Sequence, residues 1–260
     1  MRILSPGHGE PRRPFGPRDP GDAWVVADSG QKYWGRFGAA GLLAVDPRRG
    51  VLLQHRVGWS HYGGTWGIPG GARHQGESAF AGALRESGEE AGVPRDAVRP
   101  RLMSVLDKQV WTYSTLVADV IEPFEPVISD RESLGLRWVP LDEVDGYELH
   151  PGFAGSWPRL RALLEVRPVL MVDVSSVTDK DLIEAVERAG VPAGELGLQE
   201  ERWFPEIVRV ADPQEALARG LVEAARNPYL TVVGDDEAAG AQLVEAGARV
   251  NPGEWFGSWL

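Results

Sequence analysis

Along this chain, short runs of apolar residues alternate with polar turns, and one long stretch carries a helical period. Residues 1 to about 35 show little periodicity and are rich in Pro, Gly and Arg, so they read as an arm with a short strand at Trp24–Ala27. From Phe37 the pattern sharpens. Gly38–Asp46 and Val51–Arg56 are apolar runs divided by Pro47-Arg48-Arg49-Gly50, the composition of a hairpin turn. A glycine-rich loop follows from Gly58 to Gly76, and Ser78–Ala91 is helical by period. Leu102–Leu106, Tyr113–Ile121 and Gly135–Val139 read as strands. Pro140-Leu141-Asp142-Glu143-Val144 starts a short helix and Trp157–Leu164 makes another.

The pattern changes at Arg167-Pro168. Val169–Val174, Glu206–Ala211, Leu230–Gly234 and Ala248–Asn251 read as strands, separated by helices at Asp179–Ala189, after Asp212-Pro213, and at Glu237–Ala246. Asp212 is a good cap with Pro213 in the first turn, and Gly190 and Gly247 can end the helices before them. Alternating strands and helices predict a small parallel α/β unit. The expected organisation is an N-terminal arm (1–36), a first domain (37–166) and a small Rossmann-like α/β accessory domain (167–260).

With 260 residues, the chain can bury a core without cross-links. It has no cysteine, which excludes disulfides, thiolate metal sites and cysteine nucleophiles and fits a cytoplasmic location. The N-terminus lacks the apolar core of a secretory signal, and no apolar run is long enough to span a bilayer. The net charge of −11 argues against nucleic acid as the main ligand, since phosphate backbones are held largely by Lys and Arg. A small phosphorylated substrate remains compatible with this charge if a divalent cation joins it to protein carboxylates.

The chemistry concentrates in Gly71–Val93. On a helix, Glu86, Glu89 and Glu90 stand at i, i+3 and i+4 and share a face. Three carboxylates this close repel unless protons or a cation intervene, and hard Mg²⁺ prefers such oxygens. Phe80, Leu84 and Ala91 fall on another face that can enter a core, while Ala79, Gly82 and Ala83 are small and leave room beside the acidic side. Arg85 can pair with Glu89 or with Glu77. A bare Glu-x-x-Glu-Glu is ordinarily a solvated helix face. Here the preceding Gly67-Ile68-Pro69-Gly70-Gly71 supplies a tight loop whose backbone can approach a metal or a phosphate.

This segment resembles the Nudix box, G-x5-E-x7-R-E-U-x-E-E-x-G-U, with U a bulky apolar residue. Gly71, Glu77, Arg85, Glu86, Glu89, Glu90, Gly92 and Val93 match at the right spacing, and Ser87 departs at the first U position. The resemblance covers roughly Phe37 to Val166. It implies an α+β Nudix fold, a mixed sheet between helices, with the box as loop-helix-loop. It also implies metal-dependent hydrolysis of a nucleoside diphosphate linked to another group. By that carry-over Glu86, Glu89 and Glu90 hold Mg²⁺ (or Mn²⁺), Gly70 adds a backbone carbonyl, Glu77 and Gly71 lie beside substrate and metal, and Arg85 orients the glutamates. The base that activates water is a box glutamate or Glu132, an acid just before the strand ending at Val139. Arg56 is a candidate phosphate ligand, and Tyr62, Trp66, Trp111 and Tyr113 are candidates for stacking on a base. The five histidines show no metal-ligand spacing and receive no role.

In the C-terminal unit Asp173, Asp212, Asp235 and Asp236 fall at the carboxyl ends of strands, where open α/β sheets place ligands. The order is faintly similar to PIN-like or NYN-type nuclease domains. The match fails at Val174-Ser175-Ser176, and helix capping accounts for most of these acids. A docking, substrate-shaping or dimerising role is the expectation, which leaves a homodimer open. The rival to an enzyme is a non-catalytic nucleotide sensor whose C-terminal unit binds a partner; the intact set of box acids favours the enzyme.

Overall fold

The structure is a computed structural model, and it describes residues 1–5, 19–177, 179 and 181–259. Much of the expected arm, and part of the first turn expected from Asp179, lie outside those residues. The chain divides into two compact units, Met1–Arg161 and Ala162–Leu260.

In the first unit, β1 (Arg2–Leu4), β2 (Trp24–Val26) and β3 (Lys32–Trp34) form a three-stranded antiparallel sheet, so the arm contributes more than the single strand its pattern suggested. The main sheet contains β4 (Ala39–Asp46), β5 (Gly50–Arg56), β6 (Trp66–Gly67), β7 (Gly70–Ala72), β8 (Val98–Asp107), β9 (Thr112–Val120) and β10 (Ser133–Val139). The strand order is β10-β5-β4-β9-β8, with β6 on β5 and β7 on β4. The sheet is mixed, because β4 runs parallel to β9 while its other pairings are antiparallel. The β4–β5 hairpin has a local cause. The Asp46 carboxylate accepts the N–H groups of Arg48 and Arg49 at 2.8 and 3.0 Å, and Gly50 takes φ 92° where a Cβ would strike the Val139 carbonyl.

The helix α1 (Ala79–Ala91) packs on β4, β7 and β9. Ser78 caps its start, accepting the Ala81 N–H, and Gly92 ends it in the left-handed region. The N–H groups of Gly92 and Val93 return to the carbonyls of Gly88 and Ser87. The Gly-apolar pair that closes the box is therefore a helix stop. Ser87, the departure from the box, is fully buried, and its hydroxyl is spent on the Leu84 carbonyl. Gly82 and Ala83 are buried too; their small size lets the helix lie close to its neighbours rather than leaving space for a ligand. After β10 the short helix expected from Pro140 is a 3₁₀ turn at Val144–Gly146, and α2 (Pro151–Leu163) begins six residues ahead of its expected start at Trp157. Pro151 supplies the helical φ at this start, and the Ala154 N–H bonds back to the His150 carbonyl.

The second unit holds a parallel sheet of β14 (Glu206–Val210), β11 (Val169–Asp173), β15 (Leu230–Val233) and β16 (Arg249–Asn251), in that order. Helices α3 (Asp181–Ala189), α4 (Pro213–Ala224) and α5 (Glu237–Glu245) connect the strands. A small hairpin of β12 (Val191–Pro192) and β13 (Arg202–Trp203) adds to this unit. Val169, Met171, Leu230, Val232, Ala216 and Leu243 make its own core. No helix among the described residues is long and apolar enough to cross a membrane.

Candidate active site

The site is built where α1 meets the strands on either side of β5. Gly70 and Gly71 lead out of the glycine-rich loop into β7, paired on Gly41 and Ala40 of β4. Neither could carry a side chain. A Cβ on Gly70 would press on Gly41 and the Ala40 carbonyl, and one on Gly71 would lie 2.7 Å from the Glu86 carboxylate. The bare backbone thus makes a cradle against which buried Glu86 and Glu90 lie. The Gly70 N–H donates to Glu90 at 2.7 Å. Gly70 thus meets the acidic group through its N–H.

Arg85 organises the box. Its Nε and Nη2 bond the two Glu77 oxygens at 2.8 and 2.9 Å, and its Nη1 reaches Glu86 at 2.6 Å and Glu89 at 3.2 Å. Nη2 also donates to the Ala72 carbonyl at 3.0 Å. The two pairings left open for Arg85 are both made. Glu77 is further fixed by the N–H of His74 at 2.9 Å. Burial works against a charged Glu77, but the Arg85 and His74 hydrogen bonds outweigh it and hold its pKa at about 2. Glu89 stands apart from its neighbours on the helix: its side chain is 50% exposed.

The second wall comes from the approach to β10. Ser133 pairs with Arg56, and the Val57 N–H donates to the Glu132 carbonyl, which fastens Glu132 beside the end of β5. Asp130 accepts the Glu132 N–H at 3.1 Å and the Ser133 hydroxyl at 3.2 Å, a turn that folds its carboxylate toward the same place. Carboxylate oxygens of Glu90, Asp130 and Glu132 lie within 4.8 Å of one another. This acidic cluster could hold a metal ion. Burial pushes the Glu90 carboxyl well above the usual range, and the Glu86 and Glu132 charges add to it; Arg56 and the Gly70 N–H pull the other way. Burial also raises Asp130.

A NUDIX domain model matches residues 35–163. The chain is 50% identical over 166 residues to the "Putative 8-oxo-dGTP diphosphatase 3" of Mycobacterium tuberculosis, a match that spans 60% of this chain and 76% of that protein. This chain belongs to the Nudix family. A solved Nudix hydrolase from M. smegmatis, RenU, is 46% identical, with a TM-score of 0.51 over 55% of this chain and 95% of that one. A Bifidobacterium longum (strain NCC 2705) "Nucleoside triphosphate pyrophosphatase/Nudix hydrolase fusion protein" is 42% identical over 154 residues, 56% of this chain and 32% of that protein.

This Nudix hydrolase brings Glu77, Arg85, Glu86, Glu90, Gly70, Gly71, Arg56 and Glu132 together, with Glu89 at the more open margin. Sequence reasoning overlooked Asp130, although it stands two residues from Glu132 in Ser129-Asp130-Arg131-Glu132-Ser133 and has the Asx-turn chemistry that would aim it. Among the stacking candidates, Trp66 already stacks on His55 at 4.6 Å and Trp111 on Tyr33 at 4.9 Å. Tyr113 is held on β9 with its hydroxyl close to Gly41 and Gly70. Tyr62 stands half-exposed at the loop tip, with φ 55°.

The acids of the second unit are occupied structurally. Asp173 is 1% exposed and accepts the Ser175 N–H and the hydroxyls of Ser175 and Ser176 at 2.7–2.9 Å. Asp235 accepts the Gly253 N–H, while Asp212 and Asp236 cap α4 and α5.

Proposed function

We propose that the chain is a divalent-metal-dependent pyrophosphohydrolase acting on nucleoside triphosphates or related nucleoside diphosphate derivatives. A purine triphosphate of the 8-oxo-dGTP kind is the first substrate to test, given the name of the mycobacterial relative. The observation that carries this reading is the convergence of Glu90 with Asp130 and Glu132, two separate parts of the chain, within 4.8 Å. The donor set fits Mg²⁺ or Mn²⁺: hard carboxylate oxygens beside a glycine cradle that a side chain at Gly71 would fill. Glu86, Glu89, Glu90 and Asp130 would hold the metal, which when bound neutralises diphosphate charge and acidifies water.

The chain's own groups do the rest. Arg85 fixes Glu77 and Glu86 so that the helix acids keep one orientation. Arg56 faces the acids from β5 and takes a phosphate oxygen. The Glu132 carboxylate accepts the proton of the attacking water. The second unit carries no hydrolytic chemistry in this reading; it is a separate α/β domain that shapes or docks.

The direct test is a panel of nucleoside triphosphates, 8-oxo-dGTP, ADP-ribose and dinucleoside polyphosphates with Mg²⁺, scored by phosphate-containing products. Cleavage of an anhydride that stops in chelator is expected. A wild-type protein that binds these nucleotides and cleaves none would instead be the sensor.

A further inference from the structure

Arg56 also lies near a second group of side chains: its Nε donates to the His61 carbonyl at 3.4 Å, and its charge acts on the His61 and His150 rings. Lateral order along this edge runs from Glu132 and Ser133, to Arg56 and His55, to Trp66, to Leu149 and His150. Ser133 pairs with Arg56, His55 with Trp66, and Trp66 bridges to Leu149. The His150 N–H donates to the Trp66 carbonyl at 2.7 Å, which locks the segment in place. The His150 ring meets Tyr62 edge-on at 5.0 Å and lies 6.3 Å from the His61 ring. Its Nδ1 accepts the Gly152 N–H at 3.1 Å. A neutral imidazole that accepts through Nδ1 carries its proton on Nε2, so the free end of this ring is a donor.

We propose that His150 is a phosphate-binding residue, which donates through Nε2 to a phosphate oxygen of the substrate while Arg56 holds the adjoining oxygen. The inference rests on the proposed hydrolysis of a phosphate anhydride. In it, the phosphate chain runs from the carboxylate cluster, across Arg56, to His150. Three groups with donors, Arg56, His61 and His150, collect here beside the acidic cluster. Burial, then the Arg56 charge, then His61 hold the His150 pKa at about 4, and burial and Arg56 also lower His61. The ring is thus neutral at physiological pH and gives a hydrogen bond without adding a third positive charge. An arriving phosphate cancels the Arg56 charge and favours the protonated ring.

Titrating the full-length protein with Mg²⁺ and inorganic pyrophosphate, followed by NMR of the imidazole nitrogens, tests this without turnover. The His150 Nε2 signal should move, and its titration midpoint should rise. In kinetics, His150→Phe keeps an aromatic ring facing Tyr62 but removes the donor. KM for a cleaved nucleotide should rise about five- to twentyfold with kcat within about twofold, and His150→Gln should recover most of the loss. A His150 signal that stays fixed while pyrophosphate binds, or a His150→Phe enzyme with wild-type KM, overturns the assignment. If wild type cleaves no anhydride, the proposed function fails; the pyrophosphate titration then still decides whether His150 binds phosphate.

Discussion

Replacing Arg85 with Gln should remove a largely buried, two-pronged ion pair of the first unit, and its size can be worked out. The side chains of Arg85 and Glu77 are 19% and 13% exposed, and two parallel hydrogen bonds join them at 2.8 and 2.9 Å. Burial opposes a charged Glu77, and the fork together with the His74 N–H outweighs it and holds the pKa at about 2 against an ordinary 4.5. At ~1.36 kcal/mol per pKa unit, the gap corresponds to roughly 3 kcal/mol. The usual cost of breaking a buried ion pair by removing one partner, about 3–5 kcal/mol, agrees. Because the folded-state pKa is depressed, this stabilisation is fully present above the ordinary value and is lost as pH falls toward about 2. Arg85→Gln should therefore unfold roughly 3 kcal/mol more easily than wild type at neutral pH, and the gap should close with acid. Urea unfolding read through hydrogen exchange of the α1 peptide follows this unit alone. A neutral-pH loss below about 1 kcal/mol, or a gap that does not narrow down to about pH 3, would refute the reasoning. Activity should fall too, because Nη1 of the same residue orients Glu86 and Glu89.

Three further outcomes test the site. Glu90→Gln should lower turnover by about 10²-fold or more and weaken Mn²⁺ binding measured by paramagnetic resonance, since a cluster acid becomes neutral; unchanged binding would remove Glu90 from the metal set. Glu132→Gln should reduce kcat by about 10²–10⁴-fold with little change in KM, and a drop below about threefold would return the base role to a box glutamate. Asp173→Asn with Asp236→Asn should leave nucleotide hydrolysis unaltered while lowering the melting temperature of the second unit, because both carboxylates are engaged in local hydrogen bonds. Metal-dependent cleavage of single-stranded RNA by wild type, lost in that double variant, would reveal a second active site.

What was legible in the sequence is what local chemistry dictates. The α1 span was legible from its helical period, and the structure closes it with Ser78 and Gly92, whose capping preferences do not depend on the rest of the molecule. The β4–β5 hairpin follows from Pro47-Arg48-Arg49-Gly50, and the α4 start from Asp212-Pro213. The strands β6 and β7 were hidden inside the glycine-rich loop because two or three residues cannot display a period; they pair with the stretches of β5 and β4 that do not pair with each other. The shared face of the three box glutamates was legible as spacing, but its division was not. Packing on the sheet buries Glu86 and Glu90 and leaves Glu89 half in solvent.

The site itself depends on pairings that join distant parts of the chain. Strand β10 returns to β5 after more than seventy intervening residues, and only that return sets Asp130 and Glu132 opposite Glu90. Spacing along one helix finds carboxylates that share a face, yet it cannot find a partner delivered by another strand. The same limit explains the histidines. Metal-ligand spacing was the pattern sought, and His61 and His150 have none. Their common feature is position: both surround Arg56, one from the loop after β5 and the other from the entry to α2. Arg56 thus has both carboxylates and imidazoles within reach of its charge. A diphosphate needs the same two environments, one that accepts a cation with it and one that donates to its remaining oxygens. The meeting of both kinds of group about a single arginine is therefore a physical reason to read this region as the place where the phosphate chain lies.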